Sequence, residues 1–378
     1  MTNAFTITPA ERVQGLGITL IRQIMGRAPA GAINLGIGQV DGDVPKVIAD
    51  ALIAARTAKS APYGPTPGFP PLVAKIAEKY GVDPTQVIVT IGVEESIAVA
   101  CLAMLNPGDH LLIPDPAFPV YETLGRIAGA TVNHYTLRAE DMFRPTWEQI
   151  ERGLTPETRL VFLCSPGNPT GAVAEPDEWR KIGENLRERG IPYLSDEIYL
   201  DLQIEDPNHP CMREISDRGF VTAGLSKTHA LAGWRVGWLI SPPEVAGQIT
   251  ALHQYLVTSG PSPIHEAAVA AFEPEGQAAC RAIAEDLVER RALARQLFTD
   301  LGFEIRGGDG AFYLFVRHPR FSDDLALIDL LMEKAGVILI PGRAFGPGGI
   351  GFVRISYAAA PDKLREAARR IGAVLEAE

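Results

Sequence analysis

Three polar residues constrain this chain most. Asn168, Asp196 and Lys227 each fall at or just after the end of a short apolar run, at residues 160–164, 191–194 and 220–223. They lie about 30 residues apart, the length of one strand–helix–strand unit. Runs that repeat at this spacing predict a mostly parallel sheet, buried on both faces by helices. Such sheets bind ligands at the carboxyl ends of their strands, so three residues distant in sequence are expected to converge at one edge.

The same texture extends to both sides. Residues 87–91 lead through Gly92 into a helical pattern ending near Leu105, and 107–109 read as a turn before a strand at 110–113. A helix is expected over about 177–189, stopped by Gly190, and one more strand over 235–240. After Pro261-Ser262-Pro263 the pattern changes to a long charged helix at 277–301, strands at 303–305 and 311–316, a helix at 324–335 and strands at 337–340 and 351–356. The expected architecture is α/β, with a large domain over 41–275 and a smaller α+β domain from 1–40 and 276–378.

Lys227 and Arg235 carry the chemical signal. A lysine at the end of a buried strand is costly unless it is neutralised or used covalently. Arg235, eight residues on and between Gly233 and Gly237, suits a phosphate. Together they suggest a phosphorylated aldehyde held as an imine, which is pyridoxal 5′-phosphate. Composition does not oppose this: 46% of the 378 residues are hydrophobic, 21% are charged and the net charge is −11, with no basic block for nucleic acid. Four dispersed cysteines without a Cys-x-x-Cys pair argue for thiols rather than a disulfide frame or a metal site. Residues 1–10 lack a signal pattern, and the longest apolar run, 97–105, is far short of the roughly 20 residues that span a membrane. The expectation is a cytoplasmic enzyme that binds neither nucleic acid nor membrane.

Several motifs occur in order: Asn168-Pro169-Thr170-Gly171, Asp196-Glu197-Ile198-Tyr199, Ser226-Lys227 with Gly233-Trp234-Arg235-Val236-Gly237, and Arg354-Ile355-Ser356. On these the chain resembles the class I/II aminotransferases, pyridoxal-phosphate enzymes of fold type I typified by aspartate aminotransferase. The resemblance runs from Gly38 to Ser356. It implies a seven-stranded type of sheet and a Schiff base on Lys227, whose freed amine then moves a proton. It implies that Asp196 pairs with the cofactor's pyridine nitrogen, and that Tyr199 and Asn168 reach its phenolate oxygen. The phosphate falls to Arg235, Ser226 and the helix-opening Gly92-Val93-Glu94. Phe118 is the expected ring-stacking aromatic, with Tyr121 a weaker candidate. Tyr63 matches a tyrosine that reaches the phosphate in the neighbouring subunit, which implies a homodimer with shared active sites. Arg354, Gly38 and Asn168 are the expected holders of the substrate carboxylate.

The chain departs from the family at three places. Where relatives often carry a hydroxyl in the phosphate loop or three residues before the lysine, it has Glu94 and Gly224. The segment from Gly38 to Pro45 has Gly42 and Val40 where relatives often have an aromatic and a proline, which suggests a roomier substrate side or a more mobile lid. The leading expectation is transfer of an amino group between an L-amino acid and a 2-oxo acid. A lyase, cyclase or synthase on the same fold is the alternative, and a cofactor-sensing regulator is a third. Arg22, Arg27 and Arg343 are candidate partners for a second substrate carboxylate, and Leu16, Ile18 and Phe345 candidate walls of an apolar pocket.

Overall fold

The computed structural model describes residues 7–56, 62–206 and 209–377. Its main element is a seven-stranded sheet made of β1 (Val87–Ile91), β2 (His110–Asp115), β3 (Thr131–Thr136), β4 (Thr158–Cys164), β5 (Tyr193–Asp196), β6 (Phe220–Gly224) and β7 (Val236–Ile240). The order across the sheet is β1-β7-β6-β5-β4-β2-β3. All neighbours are parallel except those of β7, which runs antiparallel to β1 and β6.

The strands are apolar on both faces, and alternate residues enter different cores. Val87, Val161, Val221 and Trp238 join one cluster; Ile88, Leu160, Phe220 and Leu239 join another. The expected helix at 177–189 is Pro176–Glu188, and Gly190 follows it at φ +67°. The apolar run at 191–194 becomes strand only from Tyr193. The Ile191 amide is used to close the preceding helix on Leu186 O, and Pro192 has no N–H to give.

The later part of the chain forms a four-stranded antiparallel sheet from β8 (Glu304–Ile305), β9 (Tyr313–Arg317), β10 (Ile340–Pro341) and β11 (Val353–Ser356), in the order β10-β11-β9-β8. The single strand expected at 337–340 is two. Val337–Ile338 pairs in parallel with Ile33–Asn34, and after Leu339 the chain switches to β11 through Ile340–Pro341. The helix expected at 324–335 is α-helical over Asp324–Leu330 and finishes as a π turn, Leu331–Ala335. A third core joins Ile24, Leu35 and Val40 to Leu287, Phe298, Leu331 and Leu375. Early and late segments of the chain thus share one interior.

Among the described residues no helix is long and apolar enough to cross a membrane, and no cluster of three His, Cys, Asp or Glu side chains is arranged to hold a metal ion.

Candidate active site

Adjacent strand ends bring the expected residues together. Asp196 ends β5 opposite Cys164 of β4, and Thr222 of β6 lies on its other side. Lys227 stands on the four-residue helix Leu225–Thr228 that directly follows β6, beside buried Ser226. Asn168 lies in the loop after β4, and Arg235 immediately before β7.

Lys227 Nζ donates to Gly38 O at 2.5 Å. Burial, then the charges of Arg354 and Arg235, lower its pKa to about 8, against the opposing pull of Asp196 and Glu94. These four charged groups are therefore close enough to act on one amine. Asp196 is buried, which raises its carboxyl to about 6 although two hydrogen bonds oppose the rise. Tyr121 Oη donates to its Oδ2 at 2.7 Å, and the Ile198 amide donates to Oδ1 at 3.2 Å. Tyr121, expected at most to stack, is instead the residue that holds Asp196. Its ring meets Phe118 edge-on, with centroids 5.8 Å apart.

Of the two glycines in Gly-x-Arg-x-Gly, the second has a packing cause; a Cβ on the first, Gly233, would meet nothing within 4 Å. Gly92 opens the helix Val93–Met104 at φ +78°, and a Cβ there would collide with the Arg235 guanidinium. A Cβ on Gly237 would lie 2.7 Å from the carbonyl carbon of Gly92. Two glycines thus let β7 lie against the helix N-terminus and place Arg235 beside its amides. Arg235 itself has φ +58°. Its Nη1 and Nη2 reach only the backbone carbonyls of Ala232 and Ile91, at 3.2 and 3.4 Å, and among the described residues no carboxylate pairs with it. At Gly224, where relatives often carry a hydroxyl side chain, a Cβ would lie 2.5 Å from Val236 O. The backbone leaves no room for a side chain there.

Arg354 comes from the other sheet. Buried on β11, it donates from Nη1 to Asn168 Oδ1 and from Nη2 to Gly36 O, both at 2.7 Å. Its guanidinium carbon lies 4.4 Å from the Tyr313 ring centroid and 4.7 Å from that of Phe345. Its Nε has no hydrogen-bond partner and, among the described residues, no carboxylate balances its charge. Phe345 is anchored to the β2 end: its carbonyl accepts from the Ala117 amide at 2.8 Å, and Gly348 N donates to both Asp115 oxygens at 3.0 Å.

Tyr199 Oη is 3.0 Å from Tyr313 Oη, and both phenols are buried. Burial raises both phenol pKa values, most strongly at Tyr199. The sequence reading missed Tyr313. Its signal was register: it lies two residues before Phe315, the residue opposite Arg354, and so on the same face of the small sheet. Tyr63 does not join the cluster within its own chain; it is 89% exposed. Arg27 and Arg343 point elsewhere, the first paired with Asp329 and the second with Asp323 and Asp324. Leu16 and Ile18 are exposed, whereas Phe345 lies at the site over Arg354. Around Gly42 a Cβ would meet nothing within 4 Å. The cavity it borders, about 500 Å³, is lined by Gln39, Val40, Ser356 and Lys363 among others, but not by Lys227, Asn168 or Arg354.

A solved structure of the same shape is that of Thermus thermophilus aspartate aminotransferase with maleate, with a TM-score of 0.91, 28% identity and coverage of 98% of this chain and 100% of that one. The fold and its lysine-bearing strand end therefore define an α/β enzyme of the aspartate aminotransferase type. The family model for aminotransferase class I and II matches residues 30–371, and the chain belongs to that family. Full-length relatives agree. An aspartate aminotransferase of Pyrococcus horikoshii is 34% identical over 98% of this chain and 97% of its own length. Aromatic-amino-acid aminotransferase 2 of Thermococcus litoralis is 30% identical over 97% and 98%. The protein is an aminotransferase, of a family that uses pyridoxal phosphate.

Proposed function

We propose that this aminotransferase moves the amino group of an L-amino acid to a 2-oxo acid, using pyridoxal phosphate held at Lys227. One observation carries the reading. Arg354 is a buried guanidinium with neutral hydrogen-bond partners and no carboxylate counter-charge among the described residues. A buried, unbalanced charge of this kind marks a place for an anion. Here the anion is the substrate α-carboxylate, held by a planar fork beside an amine.

The residues fit the cofactor. Arg235, without a carboxylate partner among the described residues, and the amides of Val93 and Glu94 at a helix N-terminus suit its phosphate, with the buried Ser226 next to Lys227 as a further candidate. Lys227 Nζ would hold its aldehyde carbon, and Asp196, fixed through both oxygens, would face its ring nitrogen. Tyr199 and Asn168 would meet its phenolate oxygen, and Phe118 would cover its face. When bound, the cofactor supplies the electron sink that lets the amino acid lose its α-proton. The chain supplies the rest. Lys227 Nζ, with a pKa of about 8, is partly the free amine near neutrality and would take that proton and return it to the former aldehyde carbon, two atoms away. Arg354 and Asn168 fix the carboxylate, and the Gly38 backbone lies beside Lys227.

On this reading residues 41–275 form the cofactor-holding domain, and 1–40 with 276–378 the smaller one. Tyr63, exposed in one chain, is offered to the phosphate of a second copy, so the active enzyme is a homodimer. The relatives act on both aspartate and aromatic amino acids, as their names state. Arg27 and Arg343 are engaged in ion pairs of their own, which leaves Arg22 of the three candidate partners for a second carboxylate, while the Phe345 ring over Arg354 offers an apolar wall that favours an aromatic or aliphatic donor. The test is the protein loaded with pyridoxal phosphate and given an amino acid alone. The reading expects one turnover, after which the visible absorbance stays changed until a 2-oxo acid is added. Continuous turnover without a 2-oxo acid would replace it with a lyase.

A further inference from the structure

Tyr313 touches three groups that the proposed reaction must keep in register. Its hydroxyl is 3.0 Å from Tyr199 Oη. Its ring lies under the Arg354 guanidinium, 4.4 Å from centroid to carbon. Its hydroxyl also packs on Gly38 so closely that a Cβ there would collide with it, and the Gly38 carbonyl receives Lys227 Nζ. The residue is held from behind: on β9 it pairs with Ser356 of β11, and its ring contacts Phe312 and Tyr199. It is 1% exposed, so none of these contacts is shared with water.

We propose that Tyr313 is a positioning residue with two separable parts. The ring orients the Arg354 fork; the hydroxyl orients Tyr199 and seats the segment that faces Lys227. The proposal rests on the pyridoxal-phosphate reading above. A phenol that is itself hydrogen-bonded donates more strongly onward. The Tyr313 hydroxyl therefore strengthens Tyr199 as a donor at the cofactor oxygen. The ring acts through cation–π attraction and by fixing the guanidinium plane. The two functions sit on one side chain, so the small sheet that supplies Arg354 also sets the electronics of the cofactor site in the large sheet.

Tyr313→Phe and Tyr313→Leu separate the parts. Two readouts are taken on the dimeric, cofactor-loaded protein, neither of them activity. One is the pH midpoint of the visible absorbance change. The other is the dissociation constant of 3-phenylpropionate, a carboxylate without an amine, measured by calorimetry. Tyr313→Phe should raise the midpoint by about half a pH unit while the 3-phenylpropionate constant stays within about twofold of wild type. Tyr313→Leu should move the midpoint similarly and weaken 3-phenylpropionate about three- to tenfold. An unmoved midpoint in Tyr313→Phe would overturn the hydroxyl part. Equal weakening of carboxylate binding in Tyr313→Phe and Tyr313→Leu would overturn the ring part. If Tyr313→Leu fails to fold, Tyr313→Phe alone still decides, because the proposal requires its two readouts to diverge. A wild-type protein that gains no visible band with pyridoxal phosphate would instead remove the underlying functional reading.

Discussion

Arg354 and Asn168 join the two sheets through one hydrogen bond of 2.7 Å, from the guanidinium Nη1 to the amide oxygen. Arg354 belongs to β11 and Asn168 to the loop after β4, so the proposed carboxylate site exists only when both sheets are in place. Lysine keeps the charge at this position but loses the fork. Arg354→Lys should lower kcat/KM for any amino acid about a hundredfold, equivalent to about 2.7 kcal/mol. Affinity for pyridoxal phosphate should stay near wild type. Steady-state kinetics beside equilibrium dialysis checks both; a parallel loss of cofactor would show that Arg354 mainly supports the cofactor site.

Gly92 gives a prediction about the phosphate. Its φ of +78° with ψ of 167° is a region that residues with a side chain rarely enter, and an added methyl would press on Arg235. Gly92→Ala should therefore weaken pyridoxal phosphate about tenfold or more, and should destabilise the apoprotein by about 1–3 kcal/mol. Dialysis and thermal unfolding measure the two separately.

Lys227 should reveal its environment through pH. With a pKa lowered to about 8, first by burial and then by Arg354 and Arg235, its free-amine fraction is about one tenth at pH 7 and nearly complete at pH 9. Covalent capture of pyridoxal phosphate, trapped by borohydride, should speed up about tenfold over that interval and then level off. An ordinary lysine would keep accelerating to about pH 10.4. Lys227→Ala should show no capture at any pH.

The strand ends were legible because the chemistry sits at breaks in apolar pattern. Lys227, Asp196 and Asn168 each follow a short apolar run bounded by turn residues, which forms a buried strand, and all three occupy the predicted edge. What lay hidden depended on contacts between elements. Tyr121 reads as one aromatic among several near Phe118; only the fold shows its hydroxyl on Asp196. Tyr313 reads as a core residue of an apolar strand, and its meaning appears once the register with β11 puts it on the face of Arg354. The split of residues 337–341 between two sheets was likewise invisible, because both halves are equally apolar and the change lies in their partners. The departure at Gly42 reads in sequence as a change on the substrate side, whereas the cavity beside it has its own lining, apart from Lys227 and Arg354.

Glu197 supplies a stability test that leaves the proposed site residues untouched. It is buried next to Asp196 and receives hydrogen bonds from the Ser195 hydroxyl at 3.0 Å and the Met212 amide at 2.8 Å, both at Oε1. Burial raises its pKa from 4.5 to about 7, with hydrogen bonds from Cys211, Met212 and Ser195 opposing. A folded-state pKa above the unfolded value means that the folded protein binds more protons between those two limits. The contribution of Glu197 to stability is then full below about pH 4.5 and is lost as the pH rises through about 7. Glu197→Gln keeps the size and the acceptor at Oε1 but cannot ionise. Relative to wild type, the variant should gain stability as pH rises across this window, so that the difference between their urea midpoints changes with pH and flattens above about 7. The raised carboxyl of Asp196 titrates in both proteins and cancels in the difference. A difference that does not change with pH would mean that Glu197 is already ionised in the folded protein throughout.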